Sequence, residues 1–318
     1  MAASSSPVGR LAPSPTGLLH LGHARSFLFA WWHARAAGGS VVMRMEDLDG
    51  ERARDELVDA ALRDLEWLGL DWDGEVVRQS AGLEHLEAAL GVLLERGLAY
   101  PCVCTRGELR GAVSAPQQGD GEVRYPGTCR GRFRSREEAE RTSGQPAGLR
   151  FRVDDGPVVL DDRLAGTVRF DVAQEVGDFL IATKRRTPAY QLAVVVDDAR
   201  AGVTEVVRGD DLLSSAARQR LLQDALGLAH VDYFHVPLVV DASGRRLAKR
   251  ERDLGLADLR AGGTDPRALV AWAARSAGLA VDERVTAREV LPIFTLARLP
   301  RAPSLLDAPT LAALRSAR

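Results

Sequence analysis

The stretch Val8-Gly9-Arg10-Leu11-Ala12-Pro13-Ser14-Pro15-Thr16-Gly17-Leu18-Leu19-His20-Leu21-Gly22-His23 passes from a short strand, through a proline-rich break, into a helix. Val8 to Ala12 reads as the strand, and Pro13 and Pro15 end it. An amphipathic helix is expected from Leu19 to Ala37, closed by Gly38-Gly39. Ser40 to Met45 is then a second strand, apolar enough to be buried. Strand, helix, strand in this order is a βαβ unit, the seed of a doubly wound parallel sheet. A helix start at such a place offers backbone N–H groups and a positive dipole end to an anion. Gly17 and Gly22 let the chain approach a nucleotide closely, and His20 and His23, three apart, project toward one ligand. Taken alone, His-x-x-His favours two surface histidines; a zinc pair without an obvious third ligand is the other reading.

Outward from this unit, helices are expected at Asp55 to Leu68 and Ala81 to Arg96. From Tyr100 to about Gly148 the chain turns polar and loses periodicity, which reads as an inserted subdomain. Short strands follow between Leu149 and Phe170. The nucleotide-binding sheet is expected to resume with Tyr190 to Asp197 and Glu205 to Arg208, then helix Ser214 to Leu226 and strand Phe234 to Val240. Asp258 to Arg318 reads as short helices separated by Pro266, Pro292, Pro300 and Pro303.

Composition bounds the function. The 318 residues can bury a sizeable core, and 46% hydrophobic with 27% charged residues is ordinary for a globular chain. No apolar run reaches the roughly 18 residues of a membrane span, and Met1 to Pro7 lack a signal-peptide pattern, so a cytoplasmic location away from membranes is expected. A formal net charge of -2 does not advertise a nucleic-acid binder, so any RNA contact must rest on local basic patches. Lys184 and Lys249 are the only lysines among 42 basic residues. A lysine kept against such an arginine bias points to a place where a compact ammonium cannot be exchanged for a planar fork.

Further groups carry chemistry. Arg44-Met45-Glu46-Asp47-Leu48-Asp49 ends the second strand, where open parallel sheets bind ligands. Glu46 suits a ligand's ammonium group and Asp47 a basic partner; an ordinary solvated acidic turn is the competing reading. Asp241 to Arg250 is a basic, glycine-containing loop able to close over a triphosphate, or else an exposed charged turn. The three cysteines, Cys102, Cys104 and Cys129, all fall in the polar insertion. Their odd number argues against a disulfide framework and leaves a metal or coincidence. Three thiolates suit Zn²⁺, which ordinarily takes four ligands.

Together these motifs resemble the class I aminoacyl-tRNA synthetases. Pro13 to Gly17 with His20-Leu21-Gly22-His23 is similar to their first signature, and Arg10-x-Ala12 before it resembles the glutamyl branch. Arg44-x-Glu46-Asp47-x-Asp49 is the usual companion. Arg246-Leu247-Ala248-Lys249-Arg250 resembles the second signature, with Arg246 and Ala248 departing from the usual lysine and serine. The cysteine spacing resembles the shortened glutamyl-Q tRNA(Asp) synthetase family, in which a tyrosine completes the zinc site; that resemblance assigns Tyr125 as fourth ligand. Only residues 250–318 follow Lys249, too few for the helical part behind the loop plus an anticodon-binding domain of about 100 residues or more.

The resemblance implies an α/β fold: a Rossmann-type doubly wound parallel sheet, an inserted zinc-containing α+β subdomain and a short helical C-terminal region. The expected division is 1–99, first half of the catalytic domain; 100–189, insertion with the zinc site; 190–255, second half with the Lys249 loop; 256–318, helical remnant. It further implies ATP with Mg²⁺ held by Pro13, Gly17, His20, Gly22, His23 and Lys249, of which His20, His23 and Lys249 are catalytic. L-glutamate would be bound by Arg10, Ala12, Ser14, Glu46, Tyr190 and Arg208, and one structural Zn²⁺ by Cys102, Cys104, Tyr125 and Cys129. The implied acceptor is the queuosine-bearing anticodon stem-loop of tRNA(Asp), served by a monomer. Arg124, Arg130, Arg132, Arg134 and Arg136 of the insertion are expected toward the RNA, or else form a solvated face. Alternatives are a minimal glutamyl-tRNA synthetase charging a tRNA 3′ end, a nucleotidylyltransferase, and a non-catalytic RNA-binding paralogue.

Overall fold

The computed structural model describes residues 6–50, 52–105, 107–109, 124–247 and 255–318; Ala248 and Lys249 lie outside the described residues. Strand β1 (Val8–Leu11) leads through the proline break to helix α1 (Leu21–Ala36) and to β2 (Ser40–Met45). Helix α2 (Asp55–Trp67), the two-residue β3 (Val77–Arg78) and α3 (Glu84–Glu95) complete the first half. β1, β2 and β3 pair in parallel, with Arg10 opposite Val42 and Met45 opposite Arg78.

The expected amphipathic α1 is instead buried on nearly every face. Trp31, Trp32, Phe29, Leu28 and Leu21 are all fully enclosed, which suits a helix held between a sheet and further helices rather than one meeting solvent. The indole nitrogens find partners there, Trp31 on Asp71 and Trp32 on the Ala287 carbonyl.

The insertion begins with β4 (Ala99–Cys102) and continues through α4 (Arg136–Ser143) to β5 (Gly148–Phe151). It closes with the hairpin β6 (Val158–Asp162) and β7 (Gly166–Phe170), and β8 (Phe179–Ala182). β4, β5 and β8 form an antiparallel sheet. β5, β6 and β8 share one apolar core with the helices and strands that follow, so among the described residues of the insertion only the cysteine region keeps a small cluster of its own.

Tyr190 to Asp197, expected as a strand, lies in helix α5 (Tyr190–Arg200). Its Val194-Val195-Val196 run favours a strand by propensity, but the helix is packed on most sides, which erases the period that would have identified it. The parallel sheet resumes with β9 (Glu205–Gly209), α6 (Leu213–Leu226) and β10 (Asp232–Val236). The expected strand to Val240 breaks at Pro237, which has no N–H for a ladder. β11 (Val239–Val240) pairs instead with β12 (Ser304–Leu305). Helices α7 (Leu256–Ala261), α8 (Pro266–Ser276) and α9 (Ala308–Ser316) are the main helices of the C-terminal region. Among the described residues no helix is long and apolar enough to cross a membrane.

β9 stands beside β1: the Thr204 N–H donates to the Val8 carbonyl (2.9 Å) and the Val8 N–H to Thr204 Oγ1 (2.9 Å). These bonds bring the parallel sheet β3-β2-β1 edge to edge with the parallel pair β9-β10. Chain connections run to opposite sides from β1 and β9, which makes the carboxyl ends of these two strands the switch point where such sheets bind ligands.

Candidate active site

Arg10, on β1, is buried. Its Nη1 donates to the Val207 carbonyl (3.4 Å), its Nε lies 3.6 Å from Asp198 Oδ1, and Nε has no hydrogen-bond partner. Arg208, near the end of β9, is equally buried. Its Nε donates to His235 Nε2 (3.0 Å) and its Nη2 to Gln219 Oε1 (2.8 Å), while Nη1 is enclosed without a partner. Burial lowers the Arg10 pKa, and the neighbouring charges of Arg44 and Arg208 lower it further against the pull of Asp198. Two enclosed guanidiniums thus repel each other, each with an unsatisfied N–H. Buried donors are nearly always paired, and a carboxylate is the group that would satisfy both.

Acidic groups flank the pair. Arg44 spans Asp198 (2.6 Å) and Glu46 (3.1 Å); burial opposes its charge, but these two carboxylates prevail and raise its pKa. Ser14 Oγ donates to Glu46 Oε2 (3.2 Å) and the Glu46 N–H to the Pro13 carbonyl (3.0 Å), which ties the loops after β1 and β2 together. Tyr190, at the first turn of α5, keeps part of its side chain in solvent, while desolvation raises the pKa of its phenol; Arg208 and Arg10 oppose this and Glu46 adds to it. Arg10, Arg44, Asp198, Glu46 and Ser14 are thus linked into one charged cluster after β1 and β2, with Arg208 and Tyr190 within its electrostatic reach. Asp47 is buried against Arg78 (2.8 Å) and Ser80, so it braces β2 and β3 and is no solvated turn residue.

His20 caps α1. Its Nδ1 accepts the N–H groups of Gly22 (3.1 Å) and His23 (3.4 Å), and the His20 N–H donates to His23 Nδ1 (3.3 Å). With both Nδ1 atoms accepting, each neutral ring carries its proton on Nε2. The rings stack with centroids 3.6 Å apart. A side chain at Gly22 would meet the His20 ring at 3.0 Å, so glycine there allows the stack. Leu247 and Gly255, on either side of the segment holding Lys249, are tied down: Leu247 N–H to the Val239 carbonyl (3.4 Å), and Leu256 N–H to the Leu19 carbonyl (2.8 Å) beside a His20–Gly255 bridge. Gly255, the first described residue after that segment, therefore lies beside the His20 turn.

Sequence reasoning missed Asp198, Arg25, His235 and Asp162. Arg25 is wholly enclosed, donating to the Pro237 carbonyl (2.6 Å) and Ser276 Oγ (2.7 Å), with burial lowering its pKa to about 10. It fastens α1 to the strand end before β11 and to α8. Each of these ionisable residues stands within or beside an apolar run, a signal that a buried partner exists.

In the insertion the three cysteine sulfurs lie within 4.8 Å of one another, Cys104 and Cys129 at 3.5 Å. Tyr125 Oη is 3.4 Å from Cys102 Sγ and 3.8 Å from Cys104 Sγ. Zn–S bonds of about 2.3 Å in a tetrahedron require sulfurs just under about 4 Å apart, so this donor set fits the ion. Arg150 donates to Cys102 Sγ (3.2 Å) and lies 3.7 Å over the Tyr125 ring, a buried cation beside what would be an anionic thiolate cluster. Burial and Cys102 push the Cys104 thiol up to about 12, a shift that a bound dication would reverse. Of the five arginines expected toward RNA, Arg124 is tied to the Ala173 carbonyl (3.0 Å) and Arg130 to Asp178 and the Val153 carbonyl (2.8 Å). Arg132 lies over Phe133, burial lowers the Arg136 pKa, and Arg132 and Arg134 are exposed.

Residues 8–312 match the family described as tRNA synthetases class I (E and Q), catalytic domain. The glutamyl-Q tRNA(Asp) synthetase of Symbiobacterium thermophilum is 45% identical over 96% of this chain and 98% of its own. That of Rhodopirellula baltica is 41% identical over 95% of this chain and 97% of its own. A glutamate tRNA ligase from Elizabethkingia meningosepticum, solved in complex with its amino acid, superposes at TM-score 0.80 with 25% identity, covering 98% of this chain and 69% of that one. The parallel sheet with its switch-point crevice, the capped His20 turn and these likenesses agree: the chain belongs to the class I aminoacyl-tRNA synthetases of the glutamyl and glutaminyl type.

Proposed function

We propose that this chain activates L-glutamate with ATP as glutamyl-adenylate, without tRNA, and passes the glutamyl group to the queuosine base of tRNA(Asp). The acceptor follows from the names of the relatives, and the glutamate from the crevice. The observation carrying the reading is the pair of enclosed guanidiniums, Arg10 and Arg208, each with one unsatisfied N–H.

In this scheme the side-chain carboxylate of glutamate lies between Arg10 and Arg208, bordered by Tyr190, Ala12 and Ser14, and Glu46 takes the α-ammonium. The α-carboxylate forms a bond to the α-phosphorus of ATP as the bond to the pyrophosphate oxygen breaks, and pyrophosphate leaves with Mg²⁺. Such a step needs orientation and charge stabilisation more than covalent help. The start of α1, Pro13, Gly17 and Gly22 approach the phosphates, His20 and His23 meet them with Nε2–H, and Lys249 neutralises the departing pyrophosphate. A hydroxyl of the queuosine cyclopentene ring then attacks the acyl carbon, and AMP leaves. Residues 190–255 and 1–99 would form the catalytic body, 100–189 the insertion and 256–318 the helical support.

ATP–pyrophosphate exchange without tRNA, with glutamate, glutamine and aspartate in parallel, tests this. Glutamate alone should drive exchange. Exchange with glutamine, or none with any, defeats the pocket; charging of tRNA(Glu) in place of queuosine-containing tRNA(Asp) would support the minimal-synthetase alternative.

The zinc proposal rests on Cys102, Cys104, Tyr125 and Cys129. The ion would supply a structural cross-link for the insertion. Elemental analysis of freshly purified protein should find one zinc per chain, and Cys129→Ala should remove it and lower the melting temperature. Protein with no zinc rejects the site.

A further inference from the structure

We propose that His235 and Asp162 form a positioning pair that fixes the Arg208 guanidinium for a carboxylate and so helps set selectivity for an acidic amino acid. The proposal rests on the glutamate reading above. His235, on β10, and Asp162, at the end of β6, are both buried. Asp162 Oδ1 accepts the N–H groups of Leu164 (2.9 Å) and Ala165 (2.7 Å), while Oδ2 is 2.6 Å from His235 Nδ1. An ionised carboxylate only accepts, so Nδ1 carries the imidazole proton and Nε2 keeps its lone pair. That lone pair receives Arg208 Nε–H at 3.0 Å.

The rest of Arg208 is held as firmly. Nη2 donates to Gln219 Oε1 (2.8 Å) and to the Leu212 carbonyl (3.3 Å), and the guanidinium carbon lies 5.1 Å over the Tyr233 ring. Gln219 is itself fixed, its Nε2 donating to Gln191 Oε1 at 3.1 Å. One edge of the fork is thereby committed to protein, and Nη1 is left for the ligand. A long side chain fixed before binding does not lose rotamer freedom on meeting substrate. Burial, aided by Arg208, lowers the His235 pKa and keeps the ring neutral. Hydrogen bonds from His235 and from the turn overcome burial and hold Asp162 below the usual carboxylate range.

Asp162→Asn separates positioning from packing. Leu164 and Ala165 keep the amide oxygen in the Oδ1 place, so the amide NH₂ faces His235 Nδ1. The imidazole must then move its proton to Nε2, where it opposes Arg208 Nε–H. KM for glutamate in tRNA-free exchange should rise about ten- to a hundredfold, the loss of one hydrogen bond to a charged group, while KM for ATP stays within about twofold. His235→Gln supplies an acceptor oxygen whatever faces its other side. Adding Asp162→Asn to it should therefore cost less than about threefold, a non-additivity that general loosening would not give. Should Asp162→Asn fail to fold by circular dichroism, His235→Leu against His235→Gln decides, with only leucine raising KM for glutamate. Wild-type glutamate KM in both Asp162→Asn and His235→Leu overturns the pair and leaves the glutamate reading intact. Absence of glutamate-dependent exchange in the wild type overturns both.

Discussion

Arg10→Ala should lower kcat/KM for glutamate in tRNA-free exchange by about a hundred- to a thousandfold, the range expected when one partner of a buried charge pair is removed. The guanidinium is enclosed and fixed by the Val207 carbonyl at 3.4 Å. Without it the substrate carboxylate would meet Arg208 alone, in a crevice that also holds Asp198 and Glu46. KM for ATP should change little, because the nucleotide is assigned to the His20 turn. Arg10→Lys should restore only part of the loss, since an ammonium cannot reproduce the fork. Full exchange in Arg10→Ala would remove the glutamate pocket from the account.

Asp198→Ala should lower the melting temperature by about 10 °C, corresponding to about 3–5 kcal/mol for stranding buried cations. Asp198 is almost wholly enclosed, 2.6 Å from Arg44 and 3.6 Å from Arg10. Its removal takes from Arg10 its nearest carboxylate and from Arg44 the shorter of its two ion pairs. The contrast is Asp232, whose contacts with Arg163 at 2.9 and 3.0 Å lie in solvent. Asp232→Ala should leave the melting temperature nearly unchanged, as loss of an exposed pair does. Equal melting temperatures for the two variants would show that Asp198 does not balance these arginines.

Local chemistry made much of this legible in the sequence. The proline break after Leu11, the helix it feeds and the apolar Ser40 to Met45 define the βαβ unit, and the observed elements fall within about two residues of that reading. His20 and Glu46 could be singled out because each stands at a helix start or strand end, where ligands meet open sheets, whereas Arg10 and Arg208 came from the family resemblance. Tyr190 to Asp197 failed for a physical reason: a helix enclosed on most sides and rich in valine shows neither the period nor the propensity of a helix. Asp198, His235 and Asp162 were invisible because their partners are distant in sequence, Asp162 being 73 residues from His235. A buried charge announces that a partner exists, while only the fold says which. Lys249 was legible through the arginine bias, its basic loop and the resemblance to the second signature, and it lies outside the described residues.

The most direct test is a structure of the protein bound to a non-hydrolysable glutamyl-adenylate analogue. The glutamate side-chain carboxylate should lie within hydrogen-bond reach of both Arg10 and Arg208, with the phosphate at the start of α1 beside His20 and His23. A side-chain carboxylate found away from these two guanidiniums, with the analogue otherwise bound, would contradict the account.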